Sequence, residues 1–261
     1  MSVSASGADL HSTAPEDSGP HRAAALAAIS HGTSSEKGRA AVKALAERVA
    51  ALAGGAASVS ETRLGHVDVE QPDIAATLES LPPGAPAVLV PLLLSAGFHV
   101  NVDMQEALEE ANQPVAVAPA MGPDERLVRA MAQRLREAGA DLSRDTIVLG
   151  GAGSSDTSAQ QDVRTTAEML ADHLGVPVTA SYLSFAEPTV HRAVEQARAD
   201  SPGGRVAIAS YLLAPGYFQG LLRRQGADVV AKPLLLEGSV PDGIPELVLD
   251  RFRAGLRALP A

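Results

Sequence analysis

A chain of 261 residues with 46% hydrophobic and 20% charged residues is long enough for one large or two small domains with a sizeable core. Its formal net charge of -10 argues against broad binding to nucleic acid or an anionic membrane, and the absence of cysteine leaves imidazole and carboxylate as the metal donors. No run approaches the roughly 18 apolar residues of a membrane span, and the N-terminus has no apolar signal core, so a cytoplasmic protein is expected.

Residues 1–22, MSVSASGADLHSTAPEDSGPHR, offer almost nothing to bury and read as a disordered tail with His11 and His21 in solvent. The stretch AALAAISHGTSS at 24–35 then gives a small apolar strand that closes on His31, a Gly-Thr-Ser-Ser turn and a helical pattern near 36–53. A strand near 58–65 and a helix near 72–82 follow. The run LVPLLLSAGFHVNVDM at 89–104 continues a strand expected near 86–94, stops at Ser-Ala-Gly and presents His99 ahead of a helix expected near 101–112. A strand near 115–121 and a helix near 124–139 complete the set. The alternation begins again, with strands near 145–151, 177–183, 204–213 and 228–235 and helices near 158–174, 188–199, 216–225 and 243–258. Such repeated βα units form parallel sheets with helices on both faces.

The second set echoes the first. HGTSSE at 31–36 matches GAGSSD at 151–156, LLLSAGFHV at 92–100 matches YLLAPGYFQ at 211–219, and Pro72 matches Pro188. This is an internal duplication, and it predicts an α/β protein of two similar doubly wound halves, 23–140 and 141–261, as a monomer with pseudo-twofold symmetry. The halves differ in their donors: His31 faces Gly151 and His99 faces Phe218 in this alignment. The second half is therefore expected to be the degenerate one.

In a doubly wound sheet the first and third strands are commonly neighbours, so His31 and His99 are expected to flank the crevice where the chain reverses direction. Two neutral imidazoles there can hold a divalent first-row metal and leave coordination positions open. If 64–70 is extended, period-two alternation puts His66, Asp68 and Glu70 on one face, beside that crevice. Competing signals are weaker. GGAGSSD at 150–156 lacks the lysine of a P-loop and the spacing of a dinucleotide fingerprint. Ser34 and Ser35 beside His31 sit in no G-x-S-x-G elbow and fit a helix cap. Asp103 fits a dipole partner in a first helical turn, and His173 and His191 fall in helical patterns away from the strand ends.

AISHGTSS, then VPLLLSAGFHVNVDM with His99 and Asp103, then APAMGPDERLV, together with SYLSFAEPTV in the second half, resemble the sirohydrochlorin chelatases of the cobalt- and iron-inserting type. The resemblance runs over essentially residues 24–256, as a fused two-copy form. It implies a chelatase-like fold and a lyase-type enzyme that inserts Fe2+ or Co2+ into a tetrapyrrole without a nucleotide, in sirohaem or cobalamin synthesis. The metal is then a substrate, no cofactor is permanently bound, and His31 and His99 bind the metal and help remove the pyrrole protons. Imidazole suits that work, because a ligand with a reference pKa of about 6.5 both exchanges metal and accepts protons near neutrality. The chain departs from the family at the acid. FAEP carries Glu187 where the family often has its carboxylate, whereas the first half's VEQP has Gln71 there, leaving Asp68, Glu70 and Glu187 as candidates. Lys37, Arg39 and Arg63 are candidate donors to the substrate's carboxylates. A non-enzymatic metal or tetrapyrrole carrier is the alternative reading.

Overall fold

The computed structural model describes residues 23–95 and 97–260, without the side chains of residues 98–101 and 103. The expected tail, with His11 and His21, lies outside the described residues.

The first half runs β1 (Ala24–Ser30), α1 (Glu36–Ala53), β2 (Val59–His66), α2 (Ile74–Glu79), β3 (Ala87–Pro91), α3 (Phe98–Glu110), β4 (Val115–Val117) and α4 (Glu125–Glu137). The second runs β5 (Thr146–Gly151), α5 (Thr157–Leu174), β6 (Val178–Tyr182), α6 (Val190–Asp200), β7 (Val206–Tyr211), α7 (Tyr217–Leu222), β8 (Val229–Val230) and α8 (Ile244–Leu256). All strand pairs are parallel, in the orders β2-β1-β3-β4 and β6-β5-β7-β8. Both sheets therefore carry the expected reversal, between β1 and β3 and between β5 and β7.

The strand sequence explains the layering. β1 is buried along its whole length, and its period of two sends Ala24, Leu26 and Ala28 into a core shared by both halves and Ala25, Ala27 and Ile29 into a core under α2 and α3. Val88 and Val90 against Ala87 and Leu89 repeat the division in β3. In the second half Val148 and Ile208 turn to the outer core with α6, while Leu149 and Ala209 join the shared one.

The last helix of each half covers the sheet of the other. α8 packs on β3, β4 and α1, and α4 packs on β7 and α5. A Cβ on Gly255 of α8 would collide with the Val88 side chain of β3, so glycine is what lets that helix lie so close to the first sheet. Arg134 of α4 is buried and donates to the Leu234 carbonyl through Nε and Nη2, at 3.1 and 2.9 Å, while its Nη1 bonds Glu137 at 2.7 Å. The 140/141 boundary thus separates strands but not helices.

An ion network ties the exchanged helices together. Arg126, in the first turn of α4, bonds Asp124 at 2.8 and 2.9 Å and Asp250 of α8 at 2.7 Å, and Arg251 lies 3.7 Å from Asp124. Burial pushes the Asp124 carboxyl up, but the bonds and charge of Arg126, aided by Arg251, outweigh it and hold the group below its ordinary 3.8; Arg126 does the same to Asp250. A carboxylate held low contributes stability above its unfolded value and loses it as the pH falls through the folded one. Arg126→Met is expected to cost about 2 kcal/mol at pH 7, and the deficit should shrink below about pH 4, as urea melts at pH 7 and pH 3 will measure.

Candidate functional site

The carboxyl ends of the two sheets face one another and their loops interleave. A Cβ on Gly38, at the start of α1, would collide with the Pro215 carbonyl of the β7–α7 turn. The Cβ positions built on Gly216 and Gly97 fall 3.5 Å from Thr33 Oγ1 and 3.1 Å from Ser154 Oγ. Those two contacts are each other's pseudo-twofold mates: Thr33 and Ser154 follow β1 and β5, and Gly97 and Gly216 are the N-caps of α3 and α7. Beneath them Tyr211 Oη donates to the Leu94 carbonyl at 3.0 Å. Burial pushes that phenol far above its ordinary value, so it stays a neutral donor.

His31 follows β1 directly and is exposed, with its carbonyl accepting from the Asp68 amide at 3.0 Å. Gly32 has φ 92, and a Cβ there would strike the Asp68 carbonyl, so the turn after His31 demands glycine. His99 is the second residue of α3, which starts at Phe98. The sequence reading placed it ahead of a helix near 101, but the strand ends at Pro91 and the turn through Gly97 is used up before it. The side chains of His99 and Asp103 lie outside the described residues. Among the described residues no three His, Asp or Glu side chains group closely enough to hold a metal.

The face expected to carry His66, Asp68 and Glu70 does not form. β2 ends at His66, and Val69 takes φ 66, the left-handed region that a β-branched residue rarely adopts, so alternation is broken. His66 is buried, with Nδ1 2.8 Å from Ser30 Oγ. Asp68 is exposed; its Oδ1 accepts from the next amide, Val69, at 2.7 Å. Glu70 is mostly buried and its Oε1 accepts from the Thr33 amide at 2.8 Å. Asp68 is therefore the carboxylate open to solvent beside His31, and Glu70 is turned onto the His31 loop.

Glu187 is exposed at the entry to α6. Its Oε2 accepts from the Thr189 amide at 2.9 Å, at the start of α6, as Gln71 Oε1 accepts from the Asp73 amide at 3.1 Å before α2. Position 71 and its mate at 187 thus make the same helix-start bond in both halves. Arg63 sits mid-strand, paired with Ala27 in register and with Glu61 by charge, away from the loops; Lys37 and Arg39 are exposed in the first turn of α1. Ser35 is the N-cap of α1 and Asp156 that of α5, so the serine pair and the GGAGSSD turn are both accounted for by capping. His191 meets Glu195 one turn on along α6, at the surface, and His173 is in the last turn of α5.

The structure also shifts the alignment of the halves by one residue at this loop. Gly153 has φ 93 and lies against the Ser184 carbonyl as Gly32 lies against that of Asp68. The N-caps Ser35 and Asp156 agree. His31 therefore faces Ala152, not Gly151, because the Ser-Ser match that suggested the sequence alignment is out of step with the backbone. His99 still faces Phe218. Ser30 is a residue the sequence reading missed; its only signal was that it and His66 end adjacent parallel strands.

The CbiX family profile matches residues 25–138 and again residues 146–232. The chain belongs to the CbiX family. The doubled match agrees with the two sheets and with the internal duplication. Curated relatives include a sirohydrochlorin ferrochelatase of Priestia megaterium, 28% identical over 144 residues, and one of Bacillus subtilis (strain 168), 26% identical over 176. These alignments cover 52% and 64% of this chain and 54% and 67% of the relatives, so the chain spans about half to two thirds of their length. Among solved structures it is similar to SirB from Bacillus subtilis with Fe3+, with TM-score 0.74 and 21% identity over 89% of this chain and 95% of that one. SirB of Bacillus subtilis subspecies spizizenii in complex with cobalt gives TM-score 0.70 at 16% identity, over 90% of this chain and 96% of that one. These likenesses establish the chelatase-like α/β fold. Among the described residues no helix is long and apolar enough to cross a membrane.

Proposed function

We propose that this CbiX-family protein is a sirohydrochlorin chelatase that inserts Fe2+ or Co2+ without a nucleotide, with His31 and His99 as the metal's transient ligands and Asp68 as the accompanying proton acceptor. The observation that carries the reading is the convergence of His31, the exposed Asp68 and the first turn of α3 at the reversal between β1 and β3, faced by the loops of the second half. The names of the curated relatives and the metals in the SirB structures agree with it.

Metallation exchanges the ion's waters for four ring nitrogens and releases two N–H protons. Imidazoles that hold the ion weakly can pass it on, and one of them, freed of metal, can take the first proton. A solvent-open carboxylate takes the second proton and returns it to water. Exposed Phe185, Tyr217 and Phe218 rim the facing crevice, where an apolar macrocycle needs contact, with the last two rings 5.6 Å apart edge to face. Exposed Lys37 and Arg39 supply charge for peripheral carboxylates.

The test is anaerobic incubation of sirohydrochlorin with Co2+ or Fe2+ and catalytic amounts of protein, followed by absorbance. Many turnovers per protein are expected; binding of either partner without metallation would make the protein a carrier. In the same assay Asp68→Asn should slow turnover about a hundredfold, the lower end for a lost acid–base group, while Glu187→Gln stays within about twofold of wild type. A large loss in Glu187→Gln alone would move the acid to the second half.

A further inference from the structure

Three backbone groups of the two peptides after His31 are held by the β2–α2 segment or by side chains. The His31 carbonyl accepts from the Asp68 amide at 3.0 Å, the Gly32 amide donates to Ser30 Oγ at 3.2 Å, and the Thr33 amide donates to Glu70 Oε1 at 2.8 Å. Ser30 Oγ is bonded to the buried His66, 2.8 Å from its Nδ1, and Glu70 Oε1 lies nearby, 3.8 Å from the same nitrogen and beyond hydrogen-bond distance. With Gly32 as its donor, the Ser30 hydroxyl has its own hydrogen free to point at His66 Nδ1. A polar cluster this deep costs desolvation, which its hydrogen bonds offset.

The second half acts as an internal control. Gly153 copies Gly32 at φ 93 against 92, Phe185 copies Val69 at φ 61 against 66, and Leu183 N donates to Gly151 O at 2.9 Å as Val67 N donates to Ser30 O. Yet the mates of Ser30, His66 and Glu70 there are Gly151, Tyr182 and Ala186, none of which can build the cluster. The backbone turn thus forms without the three polar side chains, and the bonds from Ser30 and Glu70 to the Gly32 and Thr33 amides are additional restraints that hold it in place in the first half. They occur only in the half that carries His31, Asp68 and His99.

We infer that Ser30, His66 and Glu70 are positioning residues for the metal site, fixing the peptide that follows His31 and so the direction of its imidazole. The inference rests on the reading of His31 as a metal ligand. Glu70 then acts through the lone pair it gives the Thr33 amide, not through its charge, which separates it from Asp68.

Titration of the full chain with Co2+ alone, anaerobically and at one neutral pH, followed by the d–d absorbance, tests this. Glu70→Ala and Ser30→Ala should each weaken Co2+ binding about tenfold, while Glu70→Gln, whose amide oxygen still accepts from Thr33, should stay within about twofold of wild type. That rescue is what general destabilisation would not produce. If His31→Ala abolishes binding but Glu70→Ala and Ser30→Ala match wild type, the inference is overturned. It is equally overturned if Glu70→Gln is as weak as Glu70→Ala, since charge would then be what counts. If His31→Ala itself binds Co2+ like wild type, the underlying reading of the site falls instead.

Discussion

His31→Ala and His99→Ala are each expected to lower the rate of sirohydrochlorin metallation about a thousandfold, because each removes a metal ligand and a proton acceptor from a step that needs both. Stability should barely move. His31 is exposed, so its truncation leaves no cavity, and alanine is a better helix former than histidine at the second position of α3. Thermal melting beside the metallation rate separates the two effects, and wild-type rates in either variant would remove the site from β1 and α3. Acid should mimic the substitutions. Protonated imidazole neither ligates metal nor accepts a proton, so wild-type activity should fall on acidification from pH 8 to pH 5. A flat profile over that range would count against imidazole chemistry.

What the sequence discloses and what it conceals follow from the range of the forces involved. β1 is legible because every residue of AALAAIS is buried, and the same run ends at His31 because the sheet ends there. The order of strands follows from right-handed crossovers, and the lack of cysteine narrows the donors before any geometry is known. The loop after β2 was not legible, because the direction of Asp68 and Glu70 depends on one left-handed residue, Val69, that nothing in VDVE announces. The one-residue offset at His31 was hidden by the chance match of two serine pairs. The exchange of α4 and α8 was hidden for a different reason. Each is an amphipathic helix that reads the same whichever sheet its apolar face covers, and a duplicated chain presents two nearly equivalent sheets.

That exchange leads to the other large effect. The fragment 23–140 contains β1 to β4 and α4, but it lacks α8, the helix that lies on β3 and β4, and the sheet that α4 itself covers. Leu127, Met131 and Leu135 of α4 would lose their cover together, as would Val88 beneath Gly255, and buried Arg134 would lose the Leu234 carbonyl. Uncovering these four apolar side chains at about 2 kcal/mol each costs about as much as the whole stability of a typical domain, so the isolated monomer should not persist. Pseudo-symmetry offers one escape: a second copy can lay its α4 where α8 belongs, since the two helices hold equivalent places in the two halves. The fragment is therefore expected to be insoluble or dimeric by light scattering, with activity that disappears on dilution, whereas co-expression with 141–261 restores a soluble pair and its turnover. A soluble, fully active monomer of 23–140 would show that the exchanged helix is dispensable and that the first sheet is sealed by its own elements.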